Sequence, residues 1–174
     1  MSGVATPARP GSVAWWVNKV RQTKRHLTAR VAPGEREELT TWLAPEQLRV
    51  FDAMHVSDRR HGLDVVAALR AGGEHDPDVL LAGLLHDAGK GDTGMLPRIV
   101  YSLGQAGFGL AARVARRLPG MAAALDRLAE HAETSARMAE RAGCSPRTVE
   151  LIRWQDAPRD PDAGERLRLA DEAS

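Results

Sequence analysis

An apolar run, Leu80-Leu81-Ala82-Gly83-Leu84-Leu85, leads straight into the pair His86-Asp87, with Gly89 and Lys90 close behind. The run reads as a buried helix that stops at Gly89. Burying an imidazole and a carboxylate side by side costs roughly several kcal/mol unless charge or hydrogen bonds compensate them. A divalent metal is the simplest compensation, and His61 and Asp171 are the candidates to complete its ligand set. Two histidines and two carboxylates offer nitrogen and oxygen donors without thiolate. That mix suits Mn²⁺, Fe²⁺, Co²⁺, Ni²⁺ or Mg²⁺ at six-coordinate sites and argues against a Cys-type structural zinc site. Successive helix positions point about 100° apart, so His86 and Asp87 can straddle a cation at the end of their helix. Four protein ligands leave two positions for water and substrate, and such a metal lowers the pKa of its water and polarises a phosphoryl oxygen. Taken singly, each ligand has a plainer reading. A histidine on an apolar face is commonly a satisfied core residue, and an acid such as Asp171 is commonly solvated surface. It is the four together that point to a metal.

The elements that must position these residues read as helices throughout. Residues 1–12, with Pro7, Pro10 and Gly11, read as a disordered tail. Residues 13–34 read as a basic amphipathic helix and linker, with Val13, Trp16, Val17, Val20, Leu27 and Val31 at helical spacing and Pro33-Gly34 breaking the chain. This helix either packs on the domain with a solvated basic face or lies on an anionic membrane surface. Residues 35–174 form the main domain. Pro45 suits the first turn of a helix carrying Leu48, Phe51 and Met54. Asp58 can cap the next, which places His61, Val65, Ala68 and Leu69 on one face and ends at Gly72-Gly73. Asp76-Pro77 starts the helix of the apolar run.

Residues 93–125 contain no acid, and residues 99–112 no charge at all, while Gly104, Gly107 and Gly109 make one continuous helix a poor fit. Two short helices covering the core, a lid, a phosphate-attracting rim or a membrane contact over 95–118 all suit that pattern. A long helix follows Gly120, with Leu125, Leu128, His131 or Ala132, Ser135 and Met138 in register and Gly143 closing it. Ser145-Pro146 starts another, and the last places Leu167, Ala170, Asp171 and Ser174 on one side. No stretch alternates as a strand does, so the expected fold is all-α.

Composition narrows the function classes. A hydrophobic content of 43% is that of an ordinary globular domain. The one cysteine, Cys144, cannot form an internal disulfide, and no run reaches the roughly 18 apolar residues of a spanning helix. The N-terminal residues lack a signal-peptide pattern, so a cytoplasmic protein is expected. Six of the 24 basic residues and none of the 23 acidic ones lie in residues 1–34. No recognition element for DNA stands out beyond that segment. Only Lys19, Lys24 and Lys90 among the 24 are lysines, so a lysine next to His-Asp suggests a need for a compact point charge.

The pattern His61 … His86-Asp87-Ala88-Gly89-Lys90 … Asp171 resembles the HD-domain metal-dependent phosphohydrolase superfamily, whose signature is H…HD…D on a bundle of helices. The His-Asp-x-Gly-Lys form is similar to that of HDIG-type members, and the likeness spans residues 45–174. It implies a phosphomonoesterase or phosphodiesterase acting on a small phosphorylated substrate, with His61, His86, Asp87 and Asp171 holding the metal. By the same resemblance Lys90 neutralises charge on the phosphate, and His131 ligates a second metal or donates a proton to the leaving group. Arg98 is a further candidate to stabilise phosphoryl charge, and Asp92 a lesser candidate proton donor. Where two-metal relatives carry a His-His pair this chain reads Trp154-Gln155-Asp156, and Ser57 stands where some carry Glu. One metal per chain is therefore expected. The competing expectation from another class is a regulatory module that binds metal or nucleotide without turnover.

Overall fold

The computed structural model describes residues 28–174. The expected tail over 1–12 and most of the basic helix over 13–31 lie outside the described residues. Helix α1, Pro33–Leu39, opens on the Pro33-Gly34 pair that the sequence suggested as a break. Proline is tolerated at a first helical position, where its missing N–H would be unpaired in any case. Glu35 accepts the Ala32 N–H at 2.9 Å. The same device starts α2, Pro45–Ala53, where Gln47 accepts the Ala44 N–H at 2.9 Å.

Helix α3, Val56–Ala71, is capped by His55, whose Nδ1 accepts the Ser57 N–H, and not by Asp58. Asp58 sits inside the first turn and is buried. Gly73 beyond its end has φ +86, a left-handed value that glycine takes without a steric penalty. Helix α4, Pro77–Leu85, is capped by Asp76 and is the centre of the molecule. Every residue from Val79 to Leu85 is buried, which explains why the run shows no polar face. Helices α2 and α3 pack on it, as do α9 and α10 further along the chain. Each fully buried leucine or valine there contributes about 1.5–3 kcal/mol.

A 3₁₀ turn, Ala88–Lys90, follows α4. Next come α5, Met95–Gln105, and α6, Gly109–Ala115, two short helices, as the glycines of this stretch favour. The long helix expected after Gly120, by contrast, is two, α7, Met121–Ala129, and α8, His131–Arg141. Glu130 between them leaves helical geometry at φ −101° and ψ 6°. Neither glycine nor proline marks this break; both helices pack against the 3₁₀ turn, so tertiary contact redirects the chain. Helices α9, Pro146–Arg153, and α10, Ala163–Ala173, complete the all-α fold, with no strand among the described residues. Asp78 in the first turn of α4 accepts the hydroxyls of Ser145 at 2.6 Å and Thr148 at 2.8 Å, tying α9 to α4. No helix among the described residues is long and apolar enough to cross a membrane.

Candidate metal centre

Two glycines let α3 and α4 approach until their backbones nearly touch. A β-carbon on Gly62 would stand 2.5 Å from the Leu84 carbonyl oxygen, and one on Gly83 would stand 2.8 Å from Leu69 Cδ1. This crossing puts His61, next to Gly62, beside His86, two residues past Leu84. Their ring centroids are 5.2 Å apart, edge to face. Helix α10 lies across both helices and delivers Asp171. Its Oδ1 is 2.6 Å from His61 Nε2 and 3.3 Å from His86 Nε2.

Helix α4 ends at Leu85, short of the stop expected at Gly89, and this frees the next two side chains to turn. His86 keeps helical angles as the C-cap, while Asp87, at φ −99° and ψ 3°, leaves the helix. His86 Nδ1 donates to the Gly83 carbonyl at 3.0 Å, which in a neutral ring leaves Nε2 as the acceptor facing the carboxylates. Asp87 Oδ1 lies 3.5 Å from that Nε2, and its Oδ2 accepts the Lys90 ammonium at 2.5 Å. His86 and Asp87 are almost wholly enclosed, whereas 43% of the Asp171 side chain is exposed. The cluster therefore opens to solvent on the Asp171 side.

Charge is held against burial throughout. Burial alone raises the pKa of Asp87, but His86, Lys90 and His61 outweigh it and keep the carboxyl well below its usual range. Asp171 is likewise depressed despite burial, through hydrogen bonds from His61 and His86. Burial opposes a proton on His86, yet Asp87 and Asp171 raise its pKa to about 9. Burial also opposes the Lys90 charge, and Asp87 more than restores it, so Lys90 stays an ammonium.

The donor set fits a divalent cation. Ligand atoms at right angles around one metal, with bonds near 2.1 Å, lie about 3 Å apart. The separations of 3.3 Å and 3.5 Å around His86 Nε2 are close to that value. The shorter 2.6 Å contact of His61 with Asp171 is the length of a charge-assisted hydrogen bond, in which a proton occupies the place a metal would take. The ligand atoms of His61, His86 and Asp171 all lie within 4.8 Å of one another. Asp87 joins this trio through His86.

The other residues named from sequence have diverse surroundings. His131 is buried at the start of α8, with Nε2 3.6 Å from Asp87 Oδ1. Its Nδ1 donates to the Leu128 carbonyl at 2.7 Å, and burial lowers its pKa, favouring the neutral ring. Arg98 is engaged by the protein itself. Its guanidinium forks onto buried Asp58 at 2.6 Å and 2.7 Å, and its Nε donates to the Thr93 carbonyl. Asp92 is exposed on the loop after the 3₁₀ turn, and no hydrogen bond joins it to the four-residue cluster among the described residues.

Gln155, a poor metal ligand by its chemistry, is buried against the cluster. Its amide nitrogen lies 3.1 Å from His131 Nε2 and 3.3 Å from the His86 carbonyl oxygen, while its Oε1 has no partner. A glutamine two residues beyond a helix end carries no sequence signal of such a role. Comparisons of the chain with protein-family models, with curated proteins and with solved structures return no match.

Proposed function

We propose that the chain is an HD-type metal-dependent phosphohydrolase with one divalent cation held by His61, His86, Asp87 and Asp171. The observation that carries this reading is the contact of His61 with Asp171, residues 110 positions apart, both next to His86 Nε2. It is supported by the donor chemistry and by the likeness of the motif to that superfamily. A bound Mn²⁺, Fe²⁺, Co²⁺, Ni²⁺ or Mg²⁺ would supply Lewis acidity and lower the pKa of a water it holds.

The chain's own residues define the rest. Once a metal has displaced the imidazole protons, two carboxylates and the Lys90 ammonium leave one negative charge, so a divalent cation would make the cluster positive and attractive to a phosphate ester. Lys90 holds one oxygen of Asp87 and so orients the other toward His86. Its 24% exposed side chain also leaves it open to an incoming anion. Neutral His131 has its one N–H on the Leu128 carbonyl and its Nε2 beside the Gln155 amide, so it would take up a proton on Nε2 before giving one to a leaving group.

Elemental analysis of protein purified without chelator tests the reading, together with turnover of nucleotides, sugar phosphates and cyclic dinucleotides in the presence of each metal. About one metal per chain is expected. Asp87→Ala should lose both metal and turnover, and Lys90→Ala should keep metal and lose rate. Stoichiometric metal in Asp87→Ala would refute the ligand set. A regulatory role without turnover is the second reading, favoured by the commitment of Lys90 to Asp87 and of Arg98 to Asp58. Bound metal with no hydrolysis across the substrate panel would select it.

A further inference from the structure

We infer that the α5–α6 hairpin is a docking surface for an anionic lipid bilayer. None of the 11 residues of α5 is buried, although its sequence is strongly amphipathic. The exposed large apolar side chains among the described residues all belong to this hairpin and its exit: Leu96, Ile99, Phe108, Leu110, Val114 and Leu118. Leu110 is 75% exposed. So many exposed apolar side chains gathered in one short segment of a folded chain mark a contact site, since leaving them in water forfeits the gain of burial.

Charge identifies the occupant. The segment from residue 93 to residue 125 contains no acid. Arg116 is paired with Asp126, and Arg98 with Asp58. Arg113 and Arg117 are exposed and hold no carboxylate among the described residues. Residues 1–27 would be a poor cover, because they carry Arg9, Lys19, Arg21, Lys24 and Arg25 and no acid. A second copy related by a two-fold axis would bring Arg113 and Arg117 of both subunits onto one surface. A bilayer with anionic headgroups offers an apolar interior and negative charge together, the pairing these residues present. The hairpin begins five residues after Lys90, so docking would set the histidine–aspartate cluster near the headgroup layer.

The test is sedimentation of the full chain with vesicles of neutral phosphatidylcholine and with vesicles containing a quarter phosphatidylglycerol. The protein should pellet with the anionic vesicles, at least tenfold more than with the neutral ones. The pair Phe108→Glu with Leu110→Glu should lower that partition at least tenfold, with an unchanged circular dichroism spectrum because both positions are exposed. An environment-sensitive dye on Leu110→Cys should shift to the blue on adding anionic vesicles. Absence of pelleting would overturn the inference, as would full binding by the double variant, which would assign the contact to another segment. A wild-type dimer that Leu110→Glu dissociates would replace the bilayer with a second copy. These readouts are independent of metal binding.

Discussion

A β-carbon on Gly89 would stand 2.4 Å from the carbonyl oxygen of His131 and 2.7 Å from the amide nitrogen of Ser135. The turn that carries Asp87 and Lys90 is thus pressed directly onto the backbone of the first turn of α8. The Gly89 N–H donates to the buried Ser135 hydroxyl at 2.8 Å across this contact. The close approach is what brings His131 within reach of Asp87.

Gly89→Ala should therefore be costly. The atoms in the way are backbone, which cannot rotate aside, so one of the two elements must shift. A loss of about 2–3 kcal/mol is expected, at the upper end for overpacking a close contact. Gly94→Ala is the control, since a β-carbon there meets nothing within 4 Å, and it should change stability by less than about 0.5 kcal/mol. Urea denaturation of both variants decides the matter. Equal midpoints would mean that the turn and α8 are not in contact in solution.

The pair of Arg98 with Asp58 invites a similar test. The side chains are 17% and 5% exposed, so breaking the pair leaves a charge stranded in the interior. Arg98→Met should cost about 3–5 kcal/mol, because Asp58 loses the cation that justifies its burial. Adding Asp58→Leu should recover much of that loss, since an apolar pair removes the stranded charge. A double variant as unstable as the single one would show that packing of the arginine stem, and not the ion pair, is what matters there.

This pair also shows where sequence reading stops. Pro45, Asp76-Pro77 and Ser145-Pro146 announced helix starts because capping is local chemistry, fixed within three or four residues. The apolar run of α4 announced the core, and His61, His86 and Asp171 do come together, while Asp87 lies beside His86 alone of the three. What was hidden depends on partners distant in the chain. Asp58 has the sequence position of a cap, but Arg98, 40 residues away, takes it inward. The break at Glu130 has no local cause, so His131 could not be seen to open a new helix. Gln155 reaches His131 and His86 only because α9 ends beside the cluster.

Cys144 supplies a probe of local packing. Burial pushes its thiol up to about 11 from the ordinary 9.0, against a weaker opposing hydrogen bond with Gln47. At pH 8 a shift of that size leaves roughly 100-fold less thiolate than in an exposed cysteine. Alkylation by iodoacetamide should slow by about that factor in the folded protein and recover its ordinary rate in urea. A folded rate equal to the unfolded one would mean that the end of α8, next to Cys144, opens readily.

The pH dependence of stability separates a proton-filled cluster from a metal-filled one. Asp87 and Asp171 are depressed below the ordinary 3.8, so their contribution is present above that pH and is lost as pH falls through and below it. His86 is raised from 6.5 to about 9, so its contribution is present below pH 6.5 and is lost as pH climbs toward 9. The chelator-treated protein should therefore melt highest between about pH 5 and pH 6.5 and fall on both sides. A metal binds the deprotonated imidazole, so saturating Mn²⁺ should abolish the decline between pH 6.5 and 9. At 100 times the dissociation constant it should add about 2.7 kcal/mol. His86→Asn should remove both the alkaline slope and the response to Mn²⁺. Melting curves that decline with pH equally with and without Mn²⁺ would show that the cluster binds protons alone, and the four side chains would then be a buried ion-pair network holding α3, α4 and α10 together.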